Sequence, residues 1–111
     1  MINWIHTPPP AAPYIASIFN YYLSEDLDGY EEYDILTLEL AKKSSGFLGY
    51  ESFKHEGRGS FISYWTDMEA VQKWARNPVH IEAKKLGINR WYRYYHSQIA
   101  QVLHFHATPL H

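Results

Sequence analysis

Cysteine is absent from the 111 residues, which excludes disulfides, thiolate metal sites and thiol nucleophiles together. There is no excess of basic charge either: ten Lys and Arg stand against twelve Asp and Glu, for a formal charge of −2. The cations are scattered, with no stripe of the kind that neutralises phosphates, so nucleic acid is not an expected partner. No stretch approaches the roughly 20 apolar residues of a membrane span. The opening MINWIHTPPP lacks the charge and apolar run of a signal peptide, so the expected location is the cytoplasm, away from any membrane. Glycine-rich phosphate loops are missing, because Gly57 and Gly59 flank Arg58 and do not precede a helix. A GxSxG elbow is missing too. Glu25, Asp26 and Asp28 lack calcium-loop spacing and read as a solvated turn.

Aromatic residues are what the chain has in excess. They make up 17% of it, with ten tyrosines and four tryptophans. A single domain of this size buries only about two-thirds of its unfolded surface. It cannot enclose that many rings while also pairing each hydroxyl and indole N–H. Many of the rings are therefore expected to line a cavity or an interface.

The order of elements can be read along the chain. Pro8, Pro9, Pro10 and Pro13 mark residues 1–13 as a proline-rich arm with polyproline character. The domain is expected over 14–106, with a tail at 107–111. YIASIFNYYL, residues 14–23, is β-branched and aromatic on both parities, as in a strand covered on both faces. After the turn SEDLDG, residues 30–43 predict a helix with Tyr33, Leu36, Thr37 and Leu40 on one stripe, acids early and lysines late. FLGYESF and GSFISYW, separated by HEGRG, predict a hairpin. Thr66 followed by Asp67, Met68 and Glu69 reads as a capping box opening a helix that carries Val71, Trp74 and Ala75. Asn77 and Pro78 then cap and start another, which Gly87 is expected to close in the left-handed conformation. YYHSQIAQVLHF, residues 94–105, is a final long strand. The order β-α-β-β-α-β is that of a ferredoxin-like α+β fold, a four-stranded antiparallel sheet with helices on one face.

The other face of such a sheet should meet water, yet neither parity here is safely polar. Phe61, Ser63 and Trp65 alternate with Ser60, Ile62 and Tyr64, and Tyr95, Ile99 and Leu103 alternate with His96, Ala100 and Val102. Large exposed apolar patches are rare, so a cover is expected, and the simplest is a second copy packed sheet against sheet as a homodimer.

GFLGYES entering the second strand, ISYW before the capped helix with Trp74, NPVHIEAKKLG, and WYRYYHSQIAQV together resemble the antibiotic biosynthesis monooxygenase (ABM) family of dimeric α+β barrels, over about residues 14–104. The resemblance implies a cavity between sheet and helices in each subunit. It also implies cofactor-independent oxidation of polyphenolic or quinol compounds by O₂, or haem degradation, these being activities of characterised relatives. Haem-degrading relatives carry a helical histidine about ten residues after the helix tryptophan, where this chain has Lys84, so no haem or other cofactor is expected. The chemistry expected is monooxygenation of a small electron-rich aromatic, a phenol or quinol. The alternatives are a non-catalytic module that binds a small ligand and a purely structural dimer.

Each candidate site residue has an ordinary structural alternative. His80, on the proline-started helix, is an imidazole suited to take a phenolic proton, or else a residue bonded to a nearby carbonyl. Asn20 interrupts an apolar strand and either orients substrate or O₂ in a pocket or marks a bulge. Trp65 and Trp91 are candidate walls for a flat ligand; Trp74, on the Val71 stripe, reads mainly as core but belongs to the same set. Tyr64 and Tyr95 are candidate pocket hydroxyls, as is Tyr22. His96, His104 and His106 share a parity but have no carboxylate beside them, so no metal site is expected.

Overall fold

The computed structural model describes residues 1–109. Its elements are β1 (Asn3–Trp4), β2 (Tyr14–Leu23), α1 (Tyr30–Lys42), β3 (Phe47–His55), β4 (Arg58–Trp65), α2 (Met68–Ala75), α3 (Pro78–Leu86), a π-helical turn (Gly87–Trp91) and β5 (Tyr92–Val102). The strands form one antiparallel sheet in the order β1-β3-β4-β2-β5. Without β1 this is the ferredoxin-like order, and α+β architecture follows as the sequence predicts. The fifth strand comes from the arm, where Asn3 and Trp4 pair with Tyr50 and Gly49 at the β3 edge. Residues 110 and 111 of the expected tail lie outside the described residues.

Strand β2 is central because its ring-rich, β-branched residues can serve two faces at once. Its odd positions Ile15, Ser17, Phe19 and Tyr21 face the helices, and Ile15 packs there with Ala41, Phe47, Trp65, Ala70 and Val71. Its even positions Tyr14 and Ala16 pack with Tyr64 on the opposite face. That second face is partly covered by the chain's own ends. Trp4 from the arm and Phe105 from beyond β5 meet edge to face at 5.7 Å, and Trp4 also packs on Tyr14 and Tyr64 at 5.7 and 5.3 Å. The need for cover is met locally there, but toward the β3–β4 hairpin Phe53 is 53% exposed and Tyr94 51%.

Four local readings are corrected. The cap of α2 is Asp67, whose carboxylate accepts from the Ala70 amide at 2.9 Å, and not Thr66. The Thr66 amide is engaged elsewhere, donating to the Gly46 carbonyl at 2.8 Å. Gly87 has φ −60°, an ordinary right-handed value, so it does not stop the chain, which continues through the π-helical turn to Trp91. What calls for glycine at 87 is the ring of Tyr92, which a Cβ would strike. The last strand consequently runs from Tyr92 to Val102 instead of 94–105. On α1 the inward stripe is rotated relative to the expected one: Tyr30, Tyr33, Thr37 and Ala41 face the sheet, while Leu36 is exposed.

Candidate active site

A cavity of about 460 Å³ lies between the helix-facing side of the sheet and the three helices. On the sheet side it is lined by the large side chains Phe19, Phe61, Trp65, Tyr92 and Tyr95. Shorter ones, Ser17, Ser63 and Ser97, line the space between them.

One wall is a stack of three rings. Trp65, 0% exposed at the end of β4, lies nearly parallel to Trp74 of α2 at 6.1 Å and 28°, and Trp74 lies on the His80 imidazole at 4.8 Å and 23°. Asn77 explains why His80 arrives there. Its side-chain oxygen accepts from the amides of Val79 and His80 at 2.9 and 3.2 Å, fixing the first turn of α3 so that position 80 points back toward α2. The indole of Trp65 is satisfied by the Ser63 hydroxyl at 2.9 Å. His80 is different. Its Nδ1 is buried without a hydrogen-bond partner among the described residues. Burial, and then the charge of Lys84, hold its pKa below the ordinary 6.5, against a weaker upward pull from the Trp74 backbone. The imidazole is therefore neutral at pH 7, with a ring nitrogen free of protein partners.

The opposite wall is phenolic. Tyr21 and Tyr30 share a hydrogen bond at 3.2 Å, and Tyr92 packs on Tyr21 at 5.1 Å. Burial is the main reason their pKa values rise, that of Tyr30 to about 12 and those of Tyr21 and Tyr92 further still. These groups remain protonated donors. Trp91, 2% exposed, closes this end; its indole donates to the Asp28 carbonyl at 2.8 Å and its ring meets Tyr30 and Tyr33. Tyr95 lines the same space from β5.

Of the residues singled out in the sequence, His80, Trp65, Trp74, Trp91 and Tyr95 are thus brought around one cavity. Asn20 and Tyr64 are not. Both stand on the other face of the sheet, where Asn20 Nδ2 lies 3.2 Å from His96 Nε2 and the Tyr64 hydroxyl donates to Glu51 at 3.0 Å. Tyr22 is on that face as well, with Arg58 and Arg93 against its ring. No group of three or more metal-ligating side chains occurs among the described residues. Sequence reasoning missed Tyr21, Tyr30, Tyr92 and Asp34 as lining residues. The i, i+4 spacing of Tyr30 and Asp34 was a usable signal once the inward face of α1 was known.

A family model described as monooxygenase af470-like matches residues 34–109. Uncharacterized protein YqjZ of Bacillus subtilis (strain 168) is 40% identical over 97 residues, covering 86% of this chain and 83% of its own. Among solved structures, Rv0793 from Mycobacterium tuberculosis has a TM-score of 0.74 at 11% identity, with 86% of this chain and all of that one covered. SnoaB, a cofactor-independent oxygenase from Streptomyces nogalater, has a TM-score of 0.67 at 13% identity, with coverage of 89% and 100%. At such identities the structures show a shared fold. The family match and the YqjZ identity go further, and by them the chain belongs to the af470-like monooxygenases of the ABM family.

Proposed function

We propose that this protein is a cofactor-independent monooxygenase acting on a small electron-rich phenol, with His80 as the base. The observation that carries the proposal is the buried, unpartnered Nδ1 of a neutral histidine stacked on the wall of a ring-lined cavity. A buried polar atom without a partner costs on the order of 1–3 kcal/mol, and a bound hydroxyl would recover much of that. Removing the phenolic proton makes the ring electron-rich enough to reduce O₂. The overall change balances without an outside reductant. A ring carbon gains a C–O bond and loses its hydrogen, the O–O bond breaks, and the second oxygen leaves as water with that hydrogen and the phenolic proton returned by His80. The product is a quinone. SnoaB, a cofactor-independent oxygenase, shares the fold and supports the reading. Haem is not part of the proposal, because Lys84 stands where haem-degrading relatives carry their helical histidine.

In this proposal Trp65, Trp74 and Trp91 are walls and the hydroxyl of Tyr95 contacts the ligand. The active form is a homodimer in which a second copy covers the open part of the other sheet face, with Asn20, Tyr22 and His96 between the two sheets, while Tyr64 stays under Trp4 in the part already sealed. The exposure of Phe53 and Tyr94 supports this.

The test is a thermal-shift screen of phenols, quinols and flavonoids, with oxygen uptake and quinone formation measured for each stabilising compound. Uptake matched by an equal amount of quinone supports the enzyme. Stabilisation with no uptake by any compound overturns it in favour of a binding module.

A further inference from the structure

Among the described residues lining the cavity only Asp34 and Lys84 carry a full charge, and both are exposed at its rim. Asp34 is already neutralised: Lys54 Nζ lies 2.8 Å from its Oδ2. Lys84 forms no ion pair with any described residue. It stands one helical turn after His80 on α3, so both side chains leave the helix on the same face. In a chain of formal charge −2, the opening of this cavity therefore carries an uncompensated cation. The same cavity is lined by the stacked rings of Trp74 and His80, and the neutral phenols of Tyr21, Tyr30 and Tyr92 can only share hydrogen bonds with a ligand.

We infer that Lys84 is a substrate-binding residue that selects aromatic acids, pairing with a carboxylate at the opening of the cavity while the substrate's ring lies along Trp74 and its hydroxyl reaches His80. The inference rests on the proposed use of this cavity and adds the class of compound it takes. A flat ring with one anionic edge and one hydroxyl edge matches three features in sequence: the ammonium at the rim, the indole wall, and the free imidazole nitrogen. Lys84 has a second consequence for the ligand-free protein. Its charge beside His80 is one of the two causes that keep the imidazole neutral, so a carboxylate paired to Lys84 would weaken that repulsion just when His80 takes a proton.

The probes are matched pairs that differ in one charge: 4-hydroxybenzoate against 4-hydroxybenzamide, and 6-hydroxy-2-naphthoate against its amide. Affinities are measured by titration calorimetry in the full-length protein. A partly exposed ion pair predicts that each acid binds about fivefold more tightly than its amide at low salt, with the preference shrinking as salt rises. Lys84→Gln should abolish the preference by weakening the acids and leaving the amides unchanged, and Lys84→Arg should keep it. NMR titration of His80 gives a readout independent of both turnover and ligand, with its pKa rising in Lys84→Gln. Equal affinity of acids and amides, no binding of either acid, or a preference that survives Lys84→Gln would each overturn the inference. Oxygen uptake can fail without affecting that result, and uptake with amides as good as with acids would leave the oxygenase reading standing while removing this one.

Discussion

In the proposed function, two residues divide the work of the site. Trp65 is wholly buried at the centre of the helix-facing core, and truncating it removes both the base of the ring stack and the packing around Phe47 and Val71. Trp65→Ala should cost about 3–5 kcal/mol, a large share of what holds a small domain together, and chemical denaturation should show it. His80, the proposed base, is buried in a way that lowers stability at low pH. Because the folded state disfavours its protonated form, stability is highest while the imidazole is neutral in both states. Stability falls as pH drops below about 6.5, where the unfolded chain begins to take up the proton. Melting temperatures between pH 7.5 and 5.5 should therefore decline more steeply in the wild type than in His80→Gln. The same shift predicts that kcat/KM holds into mildly acidic solution and declines with an inflection below 6.5. How far the site was legible depended on the periodicity of each segment. His80 could be found because Asn77–Pro78 fixes a helix start and so a phase. Asn20 could not be placed, since both parities of β2 carry rings and a period of two says nothing about which side faces the helices.

At the level of elements, the hairpin and the helix starts were readable because turn chemistry and capping are local. Residues such as His55–Glu56–Gly57–Arg58 can do little except turn, and Glu56 and Gly57 do so with φ of 49° and 77°. Errors came where two adjacent residues could fill one role or where contact across the fold decided. Thr66 and Asp67 are both good caps, and it is the Asp67 carboxylate that reaches the Ala70 amide, while the Thr66 amide donates to the Gly46 carbonyl in the turn before β3. Asp67→Ala should accordingly cost about 1 kcal/mol of stability, and Thr66→Ala less, measured by urea denaturation. Gly87 looked like a helix terminator in sequence but serves the close approach of Tyr92, a long-range contact invisible to pattern. Gly46 combines both demands, with φ +85° and a Cβ position 2.6 Å from that of Ala70, at the point where α1 gives way to β3.

For the whole molecule, the two faces of the sheet have separate tasks. One encloses the cavity under the helices. The other is half sealed by the arm and tail through Trp4 and Phe105 and half open around Tyr94 and Phe53. An assembly closed over the open half should give twice the 13.1 kDa chain mass in light scattering, and a charge placed there by Phe53→Asp should return it to a monomer. The residues that line the cavity come from one chain, so on the proposed function such a monomer should still bind phenols. In the proposed function the His80 nitrogen in this ring-walled cavity is the base that opens a phenol to O₂. Its most direct measurement is the oxygen-uptake rate of the His80→Ala protein on a phenol that the wild type consumes, with binding and mass checked in the same samples. A general base at His80 means a loss of at least about 100-fold, with binding and assembly retained. Uptake within a few-fold of wild type would contradict it.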